Sequence, residues 1–280
     1  MKLADSNCPR CSGEGIEFFP TDQGARAKVC ACRKTCPACK GIGRVLVEKD
    51  GRRMARCGCQ RLPDRVAILN RANLPSRHHK SSFRNFDPSM GGRAALMQCQ
   101  GWAGSFAVGQ DRKGLLLWGE VGRGKTHLVI ATLKHIAVHH GARVRFVEFT
   151  HLLAELRAGI EQRRRGNAKL LTSLQDVDVL AIDELGKGRC TEWELSILDD
   201  LISRAYNGMR TLLGSTNYTP HGGPTGVHTD NLALPEEHRA RLVDRVGLRI
   251  HSRLLEMSEP LPVRGQDYRI VGDRPKDMRR

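Results

Sequence analysis

The sequence predicts an α/β fold in which a parallel sheet carries helices on both faces, preceded by a small cysteine-rich module. Three observations predict it. Eight of the ten cysteines lie before residue 60, apolar runs of strand length alternate with helical patterns from Arg93 onward, and one of those runs leads straight into a glycine-rich turn. Strands alternating with helices bury both faces of a parallel sheet. The expected division is a cysteine module over 1–62, a helix and linker lead-in over 63–92, and the sheet domain over 93–280.

Composition narrows the class. In 280 residues, 40% hydrophobic and 27% charged, there is material for one large domain and a small one, which excludes disorder throughout. The longest apolar stretches, such as Leu115 to Trp118 and Val179 to Ile182, fall far short of the roughly 20 residues of a membrane helix. No membrane partner is expected. The opening MKLADSNCPR has no apolar segment of the secretory kind, so the expected location is the cytoplasm, where thiols stay reduced and cysteines serve metals rather than disulfides. The net charge of +16 favours a polyanionic partner, nucleic acid first, with a solvated arginine-rich surface as the other reading. Aromatics make up only 5%, which does not indicate a base-stacking platform.

The eight early cysteines form two copies of one pattern: Cys8-Pro-Arg-Cys11 then Cys30-Ala-Cys32, and Cys36-Pro-Ala-Cys39 then Cys57-Gly-Cys59. Each CxxC continues as CxxCxGxG, through Gly13 and Gly15 or Gly41 and Gly43. Glycines there let backbone amides approach thiolates. Zinc takes four soft ligands in a tetrahedron, and two turns paired across a hairpin supply them. Two zinc ions per chain are therefore expected, with a redox or iron–sulfur role as the alternative. A module this small has too little apolar content for its own core, so metal would hold it folded. The pattern does not decide whether each copy closes its own site or the two interleave. The repeats are similar to those of DnaJ-type chaperones, but the chain has no His-Pro-Asp tripeptide, which argues against a co-chaperone.

After Cys59 a short helix is expected over Leu62 to Asn73, started at Pro63. Leu74 to Gly92, polar and punctuated by Pro75, Pro88, Gly91 and Gly92, reads as a linker. Then Leu115 to Trp118 precedes Gly119-Glu120-Val121-Gly122-Arg123-Gly124-Lys125-Thr126, and Val129, Leu133, Ile136 and Ala137 mark a helix that Gly141 stops. In such a turn the amides curl around a β-phosphate, Lys125 neutralises β- and γ-phosphates, and the Thr126 hydroxyl joins the Mg2+ shell. Val144 to Phe149 alternates like a strand, followed by a helical face at Leu153, Leu156 and Ile160.

A second buried run, Val177 to Ile182, ends in Asp183 and Glu184, about 58 residues past Lys125. Acids at the carboxyl end of a parallel strand lie where the sheet opens to ligands. Asp183 is expected to hold Mg2+ through water, and Glu184 to polarise the attacking water. Thr191 to Glu194 reads as a capping box for a helix with Leu195, Leu198 and Ile202 on one face. The next strand, Thr211 to Gly214, runs into Asn217, which either reaches the γ-phosphate or its water, or is a turn residue.

The segments GLLLWGEVGRGKTHL, VDVLAIDELG and LLGSTNY resemble the Walker A, Walker B and sensor 1 stretches of P-loop NTPases of the AAA+ class, in the DnaC/DnaI helicase-loader and IstB group. The likeness runs from LPSRHHKSSFRNFD, at Leu74, to near the end of the chain, and Thr126-His127-Leu128 is characteristic of the group. The resemblance implies ATP as ligand, Gly119 to His127 as its cradle, ATP hydrolysis, homo-oligomers joined through AAA+ interfaces, and partners that are a replicative DNA helicase and single-stranded DNA. The zinc module favours a loader, since some DnaI-type loaders carry one; the alternative is an IstB-like ATPase assisting a transposase on target DNA. A further reading is a zinc-based interaction protein whose glycine turn is only a nucleotide-gated switch.

The resemblance also implies an arginine finger at Arg253, in Arg249-Ile-His-Ser-Arg253-Leu, with Arg249 as runner-up. Arg245, Arg249 and Arg253 are otherwise a row on one helix face that is solvated or pairs with Glu256. Arg269 occupies a place where some loaders have a sensor 2 arginine. Arg163 to Arg165 either touch a DNA backbone or form a solvated loop, and Pro220 to Leu234, with His221 and His228, is expected to be a mobile excursion without a metal. Cys99 and Cys190 are expected to be small buried residues.

Overall fold

The structure, a computed structural model, describes residues 3–47, 52–161, 174, 176–220 and 241–269. The readings of Arg163 to Arg165, of the Ile160 side chain and of the 221–234 excursion with His221 and His228 lie outside the described residues. Two antiparallel hairpins open the chain: β1 (Ile16–Thr21) pairs with β2 (Gly24–Val29), and β3 (Arg44–Val47) with β4 (Arg53–Arg56). Each hairpin has a CxxC turn before it and a CxC after it, so the sequence repeat is a repeat of one structural unit. Helix α1 (Arg61–Arg71) follows, with Pro63 in the first turn, where a missing N–H breaks no helical bond.

The stretch read as a linker is ordered. It forms three 3-10 turns, Ser76–His78, Phe83–Asn85 and Pro88–Met90. The polar residues that suggested a loop bond their own backbone: Ser82 and Asn85 make a reciprocal box, and Asp87 accepts from the Ser89 amide. Phe86 is buried in the main core, and Phe83 packs against it.

Strands β5 (Gly114–Trp118), β6 (Val144–Glu148), β7 (Val179–Asp183), β8 (Thr211–Thr216) and β9 (Ser258–Pro262) form one parallel sheet in the order β6-β7-β8-β5-β9. Alternation along β5 sorts its side chains between two cores. Leu115 and Leu117 join a cluster with α1, α2 (Arg93–Gly104) and α3 (Lys125–His139). Leu116 points the other way, to α4 (Phe149–Glu161), α5 (Glu192–Asn207), α6 (Leu242–Val246) and α7 (Leu248–Met257). Val129, Leu133, Ile136 and Ala137 of α3 are all buried. The α5 box is present, with Thr191 Oγ accepting from the Glu194 amide and the Glu194 carboxylate from the Thr191 amide, both at 3.3 Å. Among the described residues no helix is long and apolar enough to cross a membrane.

Two further features differ from expectation. Strand β9 carries Pro260 and Pro262 and shows no alternating pattern, which hides it in the sequence; it is an edge strand, where proline is tolerated. The Val263 amide donates to the Trp118 carbonyl at 2.8 Å, so alternation turns the nitrogens of Pro260 and Pro262 away from β5, towards the open edge. The arginine row is also broken. Gly247, at φ 80°, ends α6 and begins α7, so Arg245 does not share a helix with Arg249 and Arg253. Instead Arg245 donates to the carbonyls of Gly186 and Gly188.

Candidate active site and metal centres

Parallel strands place the ends of β5, β7 and β8 side by side, and a cavity of about 470 Å³ opens there, within the range of small-molecule sites. The turn between β5 and α3 forms one wall. Gly124, the residue before α3, sits at φ 86°, and a Cβ there would lie 2.7 Å from the Phe86 ring, so both backbone and packing demand glycine. Lys125 is buried, its Nζ donating to the carbonyls of Gly119 at 2.8 Å and Glu120 at 2.7 Å. Burial pushes it down to about 8, against the pull of Asp183. Arg123 pairs with Glu120.

Below the turn, the Thr126 hydroxyl lies 2.9 Å and 3.2 Å from the two oxygens of Asp183, which also accepts from Ser215 Oγ. Burial raises the Asp183 carboxyl above its ordinary range, with the Ser215 and Thr126 hydrogen bonds opposing. A buried carboxylate beside a hydroxyl, at the end of a phosphate-type turn, is an oxygen donor set that suits a hard divalent cation. Glu184 follows at φ 60°, its amide 3.3 Å from Ser215 Oγ and its carboxylate held by Lys187 Nζ at 2.6 Å.

Lys125, Thr126, His127, Glu184 and Asn217 all line the cavity with Val121, Gly122, Arg123 and Gly124. Asp183 lies beneath, through Thr126. The structure does not bring Arg253 to this cavity: it sits on α7, donating to Asp199 at 3.2 Å and to Ser203 at 2.5 Å, while Arg249, 3.4 Å from Asp199, is 69% exposed. Arg269 and Tyr268 line the cavity.

Sequence reasoning missed much of the opposite wall, where Arg77, His78, Asn85, Phe86 and Asp87 stand. Phe86 meets the His127 ring edge-on at 5.5 Å, and His127 Nε2 donates to the Ser82 carbonyl at 2.9 Å. Burial, then His127, pushes His78 down to about 4, so it is neutral at pH 7. Lys187 was missed as well; its signal was a cation three residues after Glu184. Cys99 is fully buried, while Cys190 is only half-buried.

Each cysteine copy closes its own cluster. Cys8, Cys11, Cys30 and Cys32 form one, and Cys36, Cys39, Cys57 and Cys59 the other, with all four sulfurs within 4.8 Å of one another in each. Across the hairpins the sulfurs lie 3.7 Å (Cys8 and Cys30), 3.4 Å (Cys11 and Cys32), 3.8 Å (Cys36 and Cys57) and 3.5 Å (Cys39 and Cys59) apart. A tetrahedron of thiolates at the usual zinc–sulfur distance has edges of about 3.8 Å, so both clusters fit a tetrahedral metal ion. Backbone amides favour one thiolate in each cluster, those of Cys11 and Arg10 bringing Cys8 to about 6 and that of Gly43 bringing Cys39 to about 6, while burial raises Cys11 and pushes Cys32 up to about 12.

The chain is also similar to known proteins. Residues 60–271 match the family described as IstB-like ATP binding protein. The chain is 31% identical over 154 residues to the YdaV protein of Escherichia coli K12, across 54% of this chain and 60% of that protein. It is 23% identical over 143 residues to the replicative helicase loader DnaC of the same strain, across 51% of this chain and 57% of DnaC. The chain thus spans about 60% of the length of these relatives. A crystal structure of the DnaC helicase loader matches with a TM-score of 0.55 at 26% identity, across 67% of this chain and 99% of that one.

Lys125 supplies a pH test. In the ligand-free protein its proton leaves near pH 8, and a triphosphate bound beside it would raise that value, since an opposite charge favours the ammonium. ATP binding is therefore expected to take up a proton above pH 8 and to weaken as pH rises from 8 to 9.5, with no contribution from Lys125 below pH 7. Calorimetry at pH 8.5 in buffers of different ionisation heat measures this; a binding heat independent of buffer would contradict it.

Proposed function

The chain belongs to the IstB-like ATP-binding protein family, and from that premise we propose that it is an ATPase that loads a replicative DNA helicase onto single-stranded DNA. The observation that carries the ATPase part of the reading is the Lys125, Thr126 and Asp183 constellation at the cavity floor, with Glu184 on the rim. In this reading the amides of Gly119 to Thr126 and the Lys125 ammonium bind the β- and γ-phosphates, and Thr126 and Asp183 hold Mg2+. That ion, when bound, neutralises charge on the phosphate oxygens.

Glu184 accepts a hydrogen bond from the attacking water and orients it, which requires its carboxylate to leave Lys187. Asn217, at the tip of the neighbouring strand, fixes the same water or a γ-oxygen. Arg253 acts in trans: in a homo-oligomer it leaves Asp199 and reaches the γ-phosphoryl group of a neighbour, with the more exposed Arg249 as the alternative. The eight cysteines hold two zinc ions that keep the hairpins folded.

Likeness to DnaC in sequence and over nearly the whole of its crystal structure supports a loader; the family description favours the second reading, an ATPase that assists a transposase. The purified chain, incubated with ATP and lysate of its native host, is expected to hydrolyse ATP and retain the replicative helicase in a pull-down. Tight ATP-dependent duplex binding without helicase would transfer the assignment to the transposase helper. Absence of both hydrolysis and helicase capture would sink the loader reading.

A further inference from the structure

The two cysteine hairpins share one sequence pattern but not one environment. Ile16, Ala25 and Ala27 of the first hairpin belong to the same buried cluster as Leu115, Leu117 and the apolar face of α3. Among the described residues, the hydrophobic side chains packed on the second cysteine cluster are Leu3 and Val45, and its hairpin leaves Leu46 and Met54 more than half exposed. The first hairpin is also bonded to the segment that walls the cavity. The Ala25 amide donates to the Leu74 carbonyl at 2.7 Å, Ser76 Oγ donates to the Thr21 carbonyl, and Arg84 donates to the Ser12 carbonyl at 2.6 Å while pairing with Glu14 at 3.5 Å.

Lys134 joins these parts. It projects from α3 with 6% exposure, its Nζ donating to the carbonyls of His78 at 3.1 Å, His79 at 2.6 Å and Ser81 at 3.0 Å, and lying 4.1 Å from the centre of the Phe18 ring on β1. A methionine would fill that space without the cost of burying a charge. What the ammonium adds is a fixed meeting point for three carbonyls of one short segment, capped by an aromatic face from the first hairpin. That segment carries His78 into the cavity, continues through Ser82, which His127 grips, and ends at Phe86 against Gly124.

We propose that Lys134 and Phe18 are positioning residues for nucleotide binding, and that the first cysteine hairpin is a working part of the cavity rather than a separate head. The second hairpin has no such part. This rests on the nucleotide reading above. The test uses the full zinc-loaded chain and titration with a fluorescent ATP analogue, followed by steady-state ATP hydrolysis. Lys134→Met and Phe18→Ala are each expected to weaken affinity about tenfold, with KM rising in step and kcat within about twofold. The double variant should lose less than the product of the two, because both act through one contact. Leu46→Asp, on the second hairpin, is expected to leave affinity unchanged.

A purely structural role would lower the melting temperature and the active fraction without moving the affinity of the folded protein. Unchanged affinity in Lys134→Met, with two zinc ions and native circular dichroism, would overturn the proposal. If Lys134→Met does not fold, unchanged affinity in both Phe18→Ala and Arg84→Ala overturns it equally. Wild-type protein that binds no nucleotide would overturn the functional reading as well, which distinguishes the two failures.

Discussion

Lys125→Ala is expected to weaken ATP binding by about 100-fold or more, whereas Glu184→Gln keeps near-native affinity and slows hydrolysis by about 10² to 10⁴-fold. The contrast follows from where each charge sits. Lys125 is buried within its own turn and bonded to Gly119 and Glu120 carbonyls, so truncating it removes the cation from the floor where the phosphates would rest. Glu184 stands on the rim, and an orienting carboxylate contributes in the transition state rather than in ground-state binding, which appears in kcat and not in affinity. Glutamine keeps the shape and also releases Lys187. Equilibrium titration with a fluorescent ATP analogue and single-turnover hydrolysis separate the two effects. Equal affinities in the two variants would contradict the assignment.

Metal removal is expected to have the next largest effect. Elemental analysis should find two zinc ions per chain, and each cluster should lose its ion independently, because each hairpin closes its own four-sulfur set. Structural zinc contributes apparent binding free energies of about 10 to 16 kcal/mol in small finger peptides, more than either hairpin gains from its few buried residues. Cys11→Ser should therefore leave about one ion per chain and melt the first hairpin, and Cys39→Ser likewise the second. Affinity for the metal falls with acidification, since bound thiolates must take up protons. One ion or none in the wild-type chain would break the paired-site description.

Much of this arrangement was legible in the residues, for a physical reason. A glycine turn between an apolar run and a helical stripe, or two cysteines at fixed spacing, encodes its chemistry over a dozen neighbouring positions. The acids at the end of β7 belong to the same kind, because a buried strand announces its end. The wall made by Arg77, His78, Asn85 and Phe86 is different. Its segment is held by Lys134, His127 and Gly124, which lie between 38 and 56 positions from the residues they touch, and its local composition is that of a loop. Strand β9 was hidden by its prolines, and the break at Gly247 by three arginines whose spacing suits an unbroken helix.

The prolines of β9 carry a further consequence. A sheet that ends in free amide hydrogens invites a stranger's backbone to continue it, and crowded copies of one chain are the strangers most often at hand. On the outward side of β9 the ring nitrogens of Pro260 and Pro262 have nothing to donate, so polymerising through that border finds no ladder to climb. The homo-oligomer proposed above would then form through surfaces other than the β9 border, where association stays selective and reversible.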